Sequence, residues 1–177
     1  RVDELNKSLY KENEKHGTVV LSDISCISAS LNAVPSECFI YLDRRLCVGE
    51  TLDQVKSEMD KLIENKNATW EVGTLYHTTW KNKQLEYKPM HNPWMIEKDH
   101  PLTKLLIKSY ESVYNRNVEH FDFWDFGTNA ITPVSMNIPT IGFGPGEYKL
   151  AHMTNERCEV KKIEEACQVY TQLIKEL

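Results

Sequence analysis

Apolar residues along this chain change their period several times, and each change marks an element. Val2, Leu5 and Leu9 recur at helical spacing, and the polar run from Lys11 to Lys15 leads to a loop that closes at Gly17. From Thr18 to Ser28 the pattern is strand-like, rich in Val, Ile and Ser, with Val19, Leu21 and Ile27 on one parity. Leu31-Asn-Ala-Val-Pro35 interrupts it with turn residues. Cys38 to Leu46 alternates most clearly: Cys38, Ile40, Leu42 and Leu46 share one face, and Phe39, Tyr41, Asp43 and Arg45 share the other. Gly49-Glu-Thr51 opens a helix. Thr51 followed by Gln54 is a capping box, in which the hydroxyl accepts from a backbone N–H that the first turn leaves without a partner. Leu52, Val55, Met59, Leu62 and Ile63 form the helix's apolar stripe. A further strand is expected over 69–76, with Trp70, Val72, Thr74 and Tyr76 on one face.

The order helix, strand, strand, helix, strand fits a sheet with helices on one face. With one leading strand before residue 1 it would be the ferredoxin-like arrangement. Residues 77–98 carry Trp80, Tyr87, Pro89, Met90, Pro93, Trp94 and Met95 without a period and read as an irregular crossover between two domains. Asp99-His-Pro101 starts a new helix, with Leu102, Leu105, Leu106, Tyr110, Val113 and Tyr114 on its apolar face. Residues 118–126 read as a strand bearing Phe121, Phe123, Trp124 and Phe126. Gly127-Thr-Asn129 turns into a short helix that Pro133 kinks or ends. A short apolar strand from Ile138 breaks at Gly142, Gly144, Pro145 and Gly146. The last helix runs from Val160 to Leu177, with Ile163, Ala166, Cys167, Tyr170 and Leu173 or Ile174 facing inward. The expected class is α/β, with an α+β first domain over 1–76: a ferredoxin-like antiparallel sheet with helices on one face. The crossover 77–98 and a partial α/β domain over 99–177 complete it.

Charge and composition narrow the function classes. The net charge is −5, with acidic and basic residues interleaved, which argues against nucleic acid as the main partner. The chain has no apolar run near the ~20 residues of a membrane helix. Five cysteines, with no Cys-x-x-Cys pair, make a poor disulfide framework or cysteine zinc site and point to a reducing cytoplasm. The opening Arg-Val-Asp-Glu-Leu reads as the middle of a helix, as in a trimmed chain or a piece of a longer one.

Four places could carry chemistry. His152 follows the glycine turn, where ligands bind beyond a strand end, and Glu147 and Glu156 lie near it in sequence. The six histidines include no pair at i, i+4, so His152 is at most one ligand of a site, or simply a surface histidine on a tight loop. Arg45 could grip a carboxylate with its guanidinium fork or pair with Asp43 on the same face. Asn32 sits in a turn that favours Asn for local hydrogen bonds. Thr128 and Asn129 either cap the helix they open or leave backbone N–H groups for an anion. Gly142-x-Gly144-x-Gly146 is no nucleotide fingerprint, because no helix follows it, and no cysteine has a basic partner at a recognisable spacing.

Taken in order, Leu31-Asn-Ala-Val-Pro35, Asp43-Arg-Arg45, Phe126-Gly-Thr-Asn129, Ile138-Pro-Thr-Ile-Gly-Phe-Gly-Pro-Gly146 and Ala151-His-Met-Thr-Asn-Glu156 resemble the second half of the dinuclear-zinc amidohydrolases. That family includes acetylornithine deacetylase, succinyl-diaminopimelate desuccinylase, aminoacylase-1 and carboxypeptidase G. Leu42-Asp-Arg-Arg-Leu46 with Gly49-Glu-Thr51 is most similar to a bacterial branch of selenium-metabolism-linked hydrolases. The resemblance implies a lid domain, which also dimerises, inserted into a catalytic α/β domain. It makes His152 the last metal ligand and places Arg45 and Asn32 on the substrate carboxylate. Gly127, Thr128, Asn129 and Gly144 line the same pocket. Two zinc ions, with cobalt or manganese as alternatives, serve the whole enzyme. The substrate it implies is an N-acyl amino acid or small peptide. The family's other metal ligands, its catalytic glutamate and its lid histidine come from sequence before Arg1. Gly127 and Ala130 stand where this branch has Ser and Gly.

Two readings follow. The chain is part of a zinc amidohydrolase and inactive alone, or it is a dimerisation or binding module. Phosphate binding by Gly142 to Gly146 is a third, weaker idea. Loss of half a parallel sheet would leave an apolar edge at 118–126 and 138–143 and favour association.

Overall fold

The structure is a computed structural model that describes every residue except Asn13 and Asp125. The chain forms two compact units, Arg1–Pro93 and Trp94–Leu177, and its class is α/β with small antiparallel sheets.

In the first unit, helix α1 (Val2–Leu9) leads to the antiparallel pair β1 (Thr18–Ile27) and β2 (Glu37–Arg45). Helix α2 (Leu52–Ile63) follows. Side chains rather than backbone tie the helices to the strands. Asn6 Oδ1 accepts from the Val19 amide at 2.9 Å, and the Arg1 guanidinium donates to the last carbonyls of α2, Leu62 O at 2.8 Å and Glu64 O at 2.9 Å. The expected capping box is present: Thr51 Oγ1 accepts from Gln54 N, and Gln54 Oε1 accepts from Thr51 N. The core here is narrow, with Val19 on β1 and Met59 on α2 buried.

A bulge breaks the β1–β2 register between Leu21 and Asp23. One extra residue on one strand reverses the parity beyond it. Val19 and Leu21 therefore share a face with Ile24 and Cys26, whereas Ile27, expected on that parity, lies on the opposite face across from Glu37. The shared face is buried at its base and open toward the hairpin end, where Ile24 is 58% and Ile40 54% exposed.

The strand expected over 69–76 is not formed as such. Residues 69–74 lie outside any strand; β3 (Leu75–Thr78) pairs only with β4 (Gln84–Tyr87), as a separate hairpin. Side chains hold the 70–73 segment instead. Trp70 Nε1 donates to Asp60 at 2.8 Å, and Gly73 lies so close to Tyr41 that a Cβ would sit 2.8 Å from its ring. The helix–strand–strand–helix order of the ferredoxin-like reading is present, but its third strand does not join the sheet.

In the second unit, α3 (Pro101–Tyr114) packs on α5 (Val160–Glu176), with α4 (Ile131–Ser135) and a 3₁₀ turn (Tyr148–Leu150) between them in sequence. The buried contact uses small side chains. Thr103, Leu106 and Ser109 lie on α3, and Ala166 and Val169 on α5. Both hydroxyls are satisfied, Thr103 by Glu97 O at 2.8 Å and Ser109 by Leu105 O at 2.9 Å, so their burial carries no unmet polar group. The inward face expected for α5 is thus corrected: Ile163, Cys167, Tyr170 and Ile174 are exposed. Small residues let the helix backbones approach, and that contact sets the helix's rotation.

Neither 118–126 nor 138–143 contains a strand among its described residues. The apolar strand edge expected there is therefore absent, although Phe121, Phe123, Trp124 and Ile138 are exposed. The chain exposes 14188 Å², against about 11,000 Å² for two separate compact units of half its mass. The burial achieved by these residues alone is small.

Candidate functional site

In the second unit an aromatic array fixes the loop that carries His152. Phe143 packs edge-on between Tyr110 of α3 and Tyr170 of α5, with centroids 6.2 and 5.5 Å away, and the Tyr170 hydroxyl donates to Phe143 O. This anchors the glycine turn to the helix pair. Gly142 allows the Trp124 indole to lie on the backbone; a Cβ there would fall 2.6 Å from the ring. Trp124 stacks on Phe126 at 5.7 Å, Phe126 stacks on Tyr148 at 5.9 Å, and the His152 imidazole sits 4.8 Å from Phe126.

The backbone at His152 is unusual. Among the described residues five that are not glycine have positive φ: Asn65, Asn82, Asn115, Asn137 and His152. Asparagine takes this conformation readily because its short amide bonds locally. His152, at φ 62°, takes it at a cost of about 1 kcal/mol or more. Its amide donates to Glu156 Oε2 at 3.1 Å, which holds the turn. The imidazole is exposed, backed on one side by Phe126.

The two acidic neighbours are already engaged. Glu156 accepts from the His152 amide, and Glu147 forms an ion pair with Lys162 of α5. The Lys162 ammonium holds the Glu147 carboxyl below the usual carboxylate range. No cluster of three or more His, Cys, Asp or Glu side chains that could hold a metal occurs among the described residues. A catalytic zinc takes about three ligands from protein, and the described residues bring no such set together.

Thr128 makes a local turn rather than a helix cap: its Oγ1 accepts from Ala130 N at 3.2 Å, and its carbonyl accepts from Ile131 N. Asn129 O accepts from Thr132 N. Gly127, Asn129 and Gly144 are exposed, and open space surrounds the Cα of both glycines. A depression of about 480 Å³ lies beside this loop, but Pro145, Glu147, Leu150, Arg157 and Lys162 line it, not His152 or Thr128.

Asn32 and Arg45 belong to the first unit. Asn32 lies exposed in the turn between β1 and β2. Arg45, at the end of β2, is exposed and pairs with Asp43 through Nε at 3.1 Å. Its neighbour behaves differently. The Arg44 side chain is only 5% exposed and bridges Glu50 and Glu58, each at 2.9 Å. Burial disfavours its charge, but Glu58 and Glu50 outweigh that and hold the guanidinium above its ordinary value. Glu50 also accepts from the Cys47 amide at 2.7 Å. Gly17 is required beside it, since a Cβ would lie 2.2 Å from Arg44 Nη1 and 2.8 Å from the Arg45 carbonyl. Sequence reasoning missed this cluster. Its signal was an arginine on the same parity as Ile40 and Leu42, on a face that needs partners for any charge.

The profile of the family described as Peptidase family M20/M25/M40 matches residues 11–176. The chain belongs to that family. It is 32% identical over 160 residues to the uncharacterized protein YgeY of Escherichia coli K12, covering 88% of this chain and 40% of YgeY, and equally similar to YgeY of Escherichia coli O157:H7. The chain therefore spans about two-fifths of the length of the curated relatives it matches. An M20 metallo-carboxypeptidase from Sulfolobus solfataricus, Sso-CP2, has the same fold over 99% of this chain and 42% of its own, with TM-score 0.61 and 19% identity. No helix among the described residues is long and apolar enough to cross a membrane.

Proposed function

We propose that these residues are part of a zinc-dependent metallohydrolase. Its reaction would cleave the amide bond of an N-acyl amino acid or small peptide with a free carboxylate. On this reading residues 1–76 are the lid, which forms the dimer, 77–98 the crossover, and 99–177 the end of the catalytic domain. The branch is the selenium-metabolism-linked one and the setting cytoplasmic. The observation that carries the reading is the family match, which runs through both units and includes His152, Arg45 and Asn32.

When bound, the metal pair (zinc, or cobalt or manganese) supplies polarisation of the amide carbonyl and an acidified water. This chain's part is to hold and to orient. His152 contributes one imidazole, its ring backed by Phe126 and its backbone locked by Glu156. Arg45 and Asn32 take the substrate carboxylate. An exposed pair such as Asp43–Arg45 is worth about 0–1 kcal/mol, so giving up Asp43 for a substrate carboxylate costs little. Gly127, Thr128, Asn129 and Gly144 line the substrate end, where two glycines without side chains leave room.

The test uses the whole protein that contains this chain. His152→Ala should lower bound zinc and abolish hydrolysis of N-acyl amino acids while leaving the melting temperature nearly unchanged. Full activity with full metal content in that variant would overturn the assignment. The second reading is an inactive dimerisation or binding module. It predicts that the gene before Arg1 lacks a His-x-Asp strand motif and a Glu-Glu pair.

A further inference from the structure

The end of the β1–β2 hairpin brings together two cysteines that no spacing rule would pair. Cys26 and Cys38 lie directly opposite each other in the register, with Ile24 opposite Ile40 before them and Ile27 opposite Glu37 after them. Directly opposed residues of an antiparallel pair point to the same face. Both side chains are exposed, and both thiols are free. The neighbouring Cys38 thiol and a little desolvation hold the Cys26 thiol above its ordinary value.

The spacing suits a covalent bond. Opposed Cα atoms in such a ladder lie about 4.5–5.5 Å apart, inside the roughly 4.4–6.8 Å that a disulfide spans. Opposed Cβ atoms start at about 4.5–5.5 Å and a disulfide wants about 3.5–4.5 Å, so closure draws the strands together by roughly 1 Å. Exposed and slightly strained disulfides are the readily reduced ones. The turn that the bond would clasp is already tied by Ser36 N donating to Ile27 O at 2.9 Å and by Ser28 Oγ donating to Ala33 O at 3.0 Å, and it carries Asn32.

We propose that Cys26 and Cys38 form a reversible dithiol–disulfide pair, a modification site that hydrogen peroxide closes. One thiolate attacks a peroxide oxygen, breaking the O–O bond and leaving a sulfenic acid and a hydroxide, which takes up the proton that thiol released and becomes water. The second thiolate attacks the sulfenic sulfur, forming S–S and breaking the S–O bond, and the departing hydroxide takes up the second thiol's proton as the second water. The two cysteines lose two electrons and two protons, and one peroxide becomes two waters. A thiol reductant reverses the reaction.

The sequence supplies a clean readout. Lys15 and Arg44 bound a single tryptic segment that contains both cysteines, and Glu37 divides it between them. The reduced protein is treated with about one equivalent of hydrogen peroxide, blocked with iodoacetamide and digested with trypsin and then glutamyl endopeptidase. The expected result is loss of Cys26 and Cys38 to alkylation together. The His16–Arg44 peptide should carry no alkyl group and be 2 Da lighter than its unalkylated dithiol form, and its halves should stay joined after cleavage at Glu37 until reductant is added. Cys26→Ser should leave Cys38 open to alkylation at the same dose. Closure should be at least about tenfold faster in folded than in urea-unfolded protein, because the ladder sets the effective concentration. Separate oxidation of the two cysteines, pairing with another cysteine or another copy, five thiols still free, or equal rates in urea would each overturn the proposal.

Discussion

The charged groups at the base of the β1–β2 hairpin and those on the 147–156 loop are organised in opposite ways. At the base, the Arg44 guanidinium donates to Glu50, Glu58 and the Arg45 carbonyl, and Glu50 accepts from the Cys47 amide as well. On the loop, His152 has its backbone fixed but is itself exposed, with its ring tilted against Phe126. A guanidinium held between two carboxylates stabilises the fold. A group held rigidly by its main chain, with its side chain open, gains nothing for the fold from that openness. The difference separates a structural arginine from a candidate ligand without reference to any relative.

Removal of Arg44 breaks the closed region most severely. Arg44→Ala leaves two carboxylates partly buried without their partner, and should cost roughly 3 kcal/mol. Urea unfolding followed by tryptophan fluorescence measures it. His152→Ala on the same assay should stay within about 0.5 kcal/mol, as for an exposed residue. Equal losses would erase the distinction between the two regions.

Acid probes the same network more gently. Burial raises the Glu50 carboxyl, but the Arg44 guanidinium and the Cys47 amide outweigh it and hold the group below its ordinary value. A carboxyl depressed in the folded state stabilises it above the unfolded-state value. That contribution is lost as pH falls below about 4.3 toward the lower folded value. The melting temperature should therefore drop over that window in the native protein and drop less in Glu50→Gln. A drop of the same size in both would detach Glu50 from the pH response.

These two regions also differ in how legible they were. The helices were readable because their signals are local: Thr51 with Gln54, and Pro101 after His100, whose Nδ1 accepts from Leu102 N. Strands need partners. The aromatics of 121–126 carry strand propensity, but no ladder forms on the described residues there, since such propensity depends on what a strand packs against. Ser22 gave no sign of the bulge that moves Ile27 to the other face. Val169 was passed over on α5 for larger neighbours, because its burial comes from the packing of α5 on α3 and not from either helix alone. For the site, the turn and its histidine stood out in the sequence. The support from Phe126 and Tyr148 did not, because those contacts join residues 22 or more positions from one another only after folding.

The smallest stability effect belongs to Arg45, next in sequence to the largest. It pairs with Asp43 at 3.1 Å with both side chains well exposed, so Arg45→Ala should change stability by less than about 0.5 kcal/mol. Under the proposed function its effect lies elsewhere. A charge-assisted hydrogen bond to a carboxylate is worth about 1.5–3 kcal/mol, so in the whole protein kcat/KM for a substrate with a free carboxylate should fall about tenfold to a hundredfold. A substrate whose carboxylate is amidated should lose almost nothing. Arg45→Lys keeps the charge without the planar fork and should recover only part of the loss. Equal losses for both substrates would move Arg45 from carboxylate recognition to a general role in the fold, a role its small effect on stability would then have to contradict.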